Sequence, residues 1–202
     1  MPELPEVETV RRTLTELVEG KTIREVRVYL DRIIREPQDP KEFSERMKGQ
    51  TIRSIKRRGK FLRFLMEDWV LVSHLRMEGR YGLYRFGDPV EKHTHVVFSF
   101  TDGTELRYKD VRQFGTMHLF ERDTDLLRPP LSRLGLEPLD EDFTLDAFKG
   151  MLAGRKTKIK PFLLNQECIA GLGNIYVDES LFQAGIHPAR DVSSLKGTEI
   201  KR

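Results

Sequence analysis

Cysteine is nearly absent. Cys168 is the single one in 202 residues, so an internal disulfide is impossible and a cysteine-built zinc site is excluded. Set in Glu167-Cys-Ile-Ala-Gly, it reads as a small buried hydrophobe. No apolar run is long enough to span a bilayer and no secretory pattern opens the chain, so a soluble cytoplasmic protein is expected. Internal repeats and low-complexity tracts are missing as well. Net charge is only +3, although 33% of the residues are charged and the pI is about 9.0. That balance is compatible with a nucleic-acid partner and does not demand one. At 23.6 kDa the chain is long enough to bury a real core in one or two domains.

What is present is concentrated in the first dozen residues, MPELPEVETVRR. Pro2 is small enough for Met1 to be removed, which would leave a free secondary amine. Val7, Val10, Leu14 and Leu17 recur at helical spacing, Pro5 suits a first turn, and Gly20 supplies a stop. Glu3 and Glu6 therefore share a face of that turn, at the positive end of the helix dipole and near the terminal amine. An amine with two neighbouring carboxylates is equipment for imine chemistry. The same letters also describe an ordinary acidic first turn.

Beyond this helix, period 2 dominates. Residues 22–30 alternate as a strand, 40–48 form a short helix closed by Gly49, and 51–57, 60–67, 69–76 and 80–86 read as strands. Residues 96–100 and 105–108 flank Thr-Asp-Gly-Thr, a hairpin signal, and 117–121 make a further strand. Many short strands with adjacent pairing predict an antiparallel sandwich. The pattern breaks over 123–143, the expected linker, and helices are expected near 144–153, 161–166 and 174–184. The fold class is α+β: an N-terminal antiparallel β-sandwich flanked by helices, followed by a helical part.

Several segments together carry a family resemblance: MPELPEVETVRR, RRGKFL around Lys60, SHLRMEGRYG, KHTHVVF, LRYKDVRQFGTMH, LGLEPL and GLGNIYVDESLFQAGIHP. In this order they resemble the bacterial formamidopyrimidine-DNA glycosylases, bifunctional enzymes that excise oxidised purines such as 8-oxoguanine and cleave at abasic sites. The related endonuclease VIII group typically opens with PEGPE instead. The resemblance implies a catalytic sandwich over 1–130, a linker and first helix over 131–150, and a partial helix–two-turns–helix module over 151–202. Asn174 would cap the helix after Gly171-Leu-Gly173, and Gly185 would end it. A glycine-preceded helix N-terminus suits phosphate.

The resemblance also assigns roles. Pro2 would attack C1′ of the sugar, Glu3 would manage protons as the sugar opens, Glu6 would hold the amine, and Lys60 would serve β-elimination and contact phosphate. Met77, Arg112 and Phe114 would fill the void left by an extruded base. Gln113, between the last two, departs from the expected cation. His93, Arg112, Arg155, Lys160 and Asn174 would approach DNA. Read alone, Phe114 suits a core, Lys60 a surface, and the run Arg155–Lys160 a solvated face. His93 and His95 could suggest a metal pair, but no third ligand stands out. Family members carry one zinc in a C-terminal finger, together with a loop over the flipped base. Neither is in these 202 residues, so no cofactor is expected in this chain. The expected partner is duplex DNA with oxidised purines or abasic sites, met by a monomer in the nucleoid. The alternative is a truncated DNA-binding fragment with impaired catalysis.

Overall fold

Leu4–Val18 forms the first helix, α1, with Pro5 in its opening turn. The Glu3 backbone N–H donates to the Glu6 carboxylate at 3.0 Å, so the acidic turn closes its own end. Leu4, Val7, Leu14 and Val18 are its buried face, and Gly20 follows at φ 84°, where a side chain would be strained. The strands are β1 (Ile23–Val28), β2 (Ile34–Glu36), β3 (Ser54–Arg58), β4 (Phe61–Leu65), β5 (Trp69–His74), β6 (Arg80–Arg85), β7 (Thr94–Phe100), β8 (Thr104–Lys109) and β9 (Thr116–Glu121). Helix α2 (Pro40–Met47) lies between β2 and β3, with Asp39 accepting the Lys41 N–H as its cap.

The computed structural model describes all 202 residues, and the chain divides into two units, Met1–Pro129 and Pro130–Arg202. In the first unit one sheet runs β1-β7-β8-β6 and the other β2-β9-β5-β4-β3. Both sheets and both helices feed one core, in which Val7, Phe43, Phe64, Val96, Phe100 and Tyr108 are almost wholly inaccessible. The sandwich is thus as expected, with two corrections. It is not wholly antiparallel, because the unforeseen strand β2 pairs in parallel with β9. Neighbours in sequence are not always neighbours in the sheet either: β1 pairs with β7, β6 with β8 and β5 with β9. A three-residue strand has too few positions to display a period, and periodicity never names a partner. The first strand also stops at Val28, because the chain turns into a 3-10 helix at Asp31–Ile33.

The second unit is helical: α3 (Leu145–Leu152), α4 (Ile159–Leu164), α5 (Asn174–Ala184) and a short α6 (Gly197–Lys201). Thr144 caps α3 by accepting the Ala147 N–H at 3.1 Å. Helix α4 starts two residues ahead of expectation, since Pro161 is tolerated in a first turn. Leu152, Phe162, Val177, Leu181 and Ile186 make a separate core, and Cys168 belongs to it at 6% exposure. The stretch expected to be a linker contains 3-10 turns at Asp125–Leu127 and Leu131–Arg133. The first is fastened to β4 by a buried ion pair, Arg63 Nε to Asp125 Oδ2 at 2.6 Å. No helix is long and apolar enough to cross a membrane.

Candidate active site and nucleic-acid interface

The first helix places Pro2 and Glu6 on a groove of about 370 Å³ that Thr9, Met77, Glu78 and Tyr81 also line. Three of the residues singled out in the sequence, Pro2, Glu6 and Met77, thus meet at one opening. Met1 is half exposed, so the peptide ahead of Pro2 is accessible for removal. Glu3 is not among the residues that line this groove and is buried at 3% exposure.

Lys60 is brought to Glu3 by a hairpin. Arg58 pairs with Phe61, so Gly59-Lys60 is a two-residue turn, and Gly59 takes φ 57° as such turns require. Lys60 is only 4% exposed. Burial holds its ammonium below the usual lysine range; the Glu3 carboxylate opposes that shift and Arg76 adds to it. The turn is tied to α1 through Arg57, which donates to Glu8 at 3.1 Å and to the Gly59 carbonyl at 2.9 Å. Hydrogen bonding to Arg11 foremost, with help from Arg57, holds the Glu8 carboxyl down to about 2. Helix and turn are therefore locked together by a carboxylate that stays ionised.

Across the hairpin from Phe61 stands His74, which the sequence did not single out. Its ring meets Phe61 edge-on at 4.5 Å, and its Nδ1 accepts the Arg76 N–H at 2.9 Å. Burial, reinforced by Arg76 and Lys60, pushes it down to about 3, so it is a neutral imidazole with its proton on Nε2. Only the fold brings Glu3 and His74 to Lys60, the one from the head of α1 and the other through strand register; their separation in sequence gives no sign of it.

The loop after β8 is organised by Asp110, which is fully buried. Its carboxylate accepts from the Gln113 N–H at 3.1 Å, the Gly115 N–H at 2.9 Å and the Tyr108 hydroxyl at 3.0 Å. The His95 Nε2–H donates to the Asp110 carbonyl at 2.7 Å. So anchored, the loop holds Phe114 57% exposed and sets Arg112 Nε 3.3 Å from Glu78. Met77 is 41% exposed on the turn between β5 and β6. Arg76, His93 and Gln113 all adopt positive φ, between 54° and 68°, and loops around a site are where such strain is kept. Arg32 donates to the Gln113 side chain, returning a guanidinium to the position where the sequence lacks a cation. Phe114 therefore protrudes and is not core.

In the second unit Lys160 pairs with Asp178 at 2.7 Å, and Arg155 is exposed with its guanidinium 5.8 Å from the Phe162 ring centre. One expectation is corrected: Asn174 does not cap α5. Gly173 occupies the cap with extended backbone, and Asn174 is the first helical residue, exposed. Gly185 does end the helix, at φ 68°. No three His, Cys, Asp or Glu side chains converge to hold a metal ion, so these residues do not fit the zinc that the resemblance implies for the family.

The chain thus combines a proline at the head of a helix, a buried carboxylate and lysine, and a separate helical unit. Family models agree along most of the chain. Residues 1–117 match the formamidopyrimidine-DNA glycosylase N-terminal domain, and residues 134–202 match the H2TH domain of the same proteins. Similar relatives include the formamidopyrimidine-DNA glycosylase of Brevibacillus brevis, 63% identical over 202 residues, and that of Bacillus subtilis, 55% identical over 201. Each match covers all of this chain and 73% of the relative. Among solved structures, the Lactococcus lactis Fpg complex with abasic-site DNA superposes with a TM-score of 0.92 at 42% identity, covering 98% of this chain and 73% of that one. The chain belongs to the formamidopyrimidine-DNA glycosylase family.

Proposed function

We propose that the chain excises oxidised purines, 8-oxoguanine and formamidopyrimidines, from duplex DNA and cleaves the resulting abasic site by β,δ-elimination. The observation that supports this best is the arrangement around Pro2: it lines an open groove, next in sequence to Glu3, whose buried carboxylate acts on the buried Lys60. Once Met1 is gone, the proline nitrogen is a secondary amine. Its lone pair attacks C1′, the bond to the base breaks with its electron pair leaving on the base nitrogen, and the proton lost from the attacking amine neutralises the departing base. The C1′–O4′ bond then opens as Glu3 supplies the proton to O4′, and an iminium remains. The iminium acidifies C2′; loss of that proton drives out the 3′ phosphate. Lys60, held below the usual lysine range by burial, exchanges protons at this step more readily than an exposed lysine. Glu6 borders the amine, and His74 presents its Nε2–H towards phosphate.

Base excision from a duplex needs the nucleotide turned out of the stack. Met77, Arg112 and Phe114 fill the vacancy: a flexible thioether, a guanidinium for the orphaned cytosine and an aromatic wedge. His93, Arg155, Lys160 and Asn174 contact the backbone, and the protein acts as a monomer in the nucleoid. The L. lactis protein has been captured with abasic-site DNA and, as a mutant, with DNA containing Fapy-dG, which supports the same substrate class here. Borohydride is expected to trap a covalent adduct with an abasic-site oligonucleotide, and Pro2→Gly to reduce it at least tenfold. Undiminished trapping by protein that retains Met1 would refute the amine assignment.

A further inference from the structure

Most arginines of the first unit are neutralised: Arg57 by Glu8, Arg27 and Arg107 by Glu105, Arg63 by Asp125. At the β2 edge of the second sheet the pattern fails. Strands β2 and β9 run side by side, with Glu36 in register with His118 and Arg35 one residue earlier. On β9 the rings of His118 and Phe120 stack 5.6 Å apart at 25°, and the Arg128 guanidinium lies 4.7 Å from the centre of the Phe120 ring. Arg76 follows β5, whose Val72 is the other register partner of His118. Arg35, Arg76 and Arg128 are exposed and none has an ion-pair partner. The His118 Nδ1 is buried and has no hydrogen-bond partner. Burial keeps this imidazole neutral, and the positive charges of Arg35, Arg128 and Arg76 push in the same direction.

Three unpaired guanidiniums around one half-buried imidazole are the complement of an anion with several acceptor oxygens. Arginine's fork matches phosphate in two-pronged fashion, and a neutral imidazole adds one N–H without competing for a proton. We propose that Arg35, Arg76, Arg128 and His118 form a phosphodiester subsite for the DNA backbone, which adjoins the Lys60–His74 cluster through Arg76. This rests on duplex DNA being the substrate. The ladder explains the assembly: β2 is the short parallel strand that brings Arg35 to His118, and the Arg128 stack completes it.

The test is the salt dependence of binding to a duplex containing a tetrahydrofuran abasic analogue. Arg35→Gln/Arg128→Gln is expected to weaken binding about tenfold at low salt and to lower the slope of log affinity against log salt by about 0.9 for each phosphate no longer neutralised. Arg35→Lys/Arg128→Lys, which keeps the charge, should retain the slope. In a second measurement, addition of the duplex to wild-type protein should shift the ¹⁵N resonance of His118 Nδ1, whereas inorganic phosphate at the same ionic strength should not. An unchanged slope in the glutamine variant, or an unmoved His118 signal in wild-type protein saturated with duplex, overturns the subsite. A shift with inorganic phosphate alone overturns it in favour of a free-anion site. Failure of wild-type protein to bind the duplex at all would instead count against the substrate assignment itself.

Discussion

Glu3 is the residue on which base release and strand cleavage are expected to diverge. It is buried near Lys60, and its carboxylate partly offsets the effect of burial on the lysine ammonium. Proton delivery to the sugar ring matters most while the glycosidic bond is breaking, whereas a preformed abasic site already presents an aldehyde. Glu3→Gln should therefore reduce release of 8-oxoguanine by at least a hundredfold and cleavage of a preformed abasic site by less than tenfold. Single-turnover assays on the two substrates compare the losses; equal losses would make Glu3 a structural residue. Glu3 was legible in the sequence because three-residue spacing sets it beside Glu6, and its role followed from the resemblance. His74 was not, because its importance comes from lying opposite Phe61 on another strand.

At the scale of elements, the loop after β8 shows how a functional arm is held. Asp110 gathers Tyr108, Gln113 and Gly115, and Gly115 has no room for a side chain: a Cβ there would lie 1.7 Å from the Tyr108 hydroxyl. Gly115→Ala must displace that hydroxyl and break its bond to Asp110. The expected cost is about 1–3 kcal/mol of stability, the range for overpacking. Adding Tyr108→Phe should restore part of it, since the clashing oxygen is gone. Urea unfolding of the single and double variants measures this. A double variant less stable than Gly115→Ala alone would show that the clash is not the cause. In the second unit the C-terminal end of α5 was legible to the residue, because Gly185 stops it. Its cap was not, because Asn174 and Gly173 both suit that position and only backbone geometry chooses.

For the whole molecule, two separate cores mean that damage to one need not register in the other. The only tryptophan, Trp69, packs against the core of the first unit, so its fluorescence reports that unit. Phe162, 2% exposed, sits in the core of the second. Phe162→Ala is expected to cost about 3–5 kcal/mol there. The helical circular-dichroism transition should move to lower temperature while the Trp69 transition moves less. Coincident shifts by both probes would mean that the chain unfolds as one cooperative body.

Sequence by itself determined the local elements and the chemistry available to them. Apolar residues three and four apart made α1, alternation made most of the strands, and glycines marked the turns. These are short-range consequences of backbone geometry, and a few residues suffice to display them. The tertiary structure decided which elements meet. It paired β2 with β9 in parallel across some eighty residues, set Lys60 behind Glu3, and placed Arg112 against Glu78. Periodicity records which face of a strand is buried but not against what. The partner is selected only when both sheets and α1 close on one core, where every apolar face must find a cover at once.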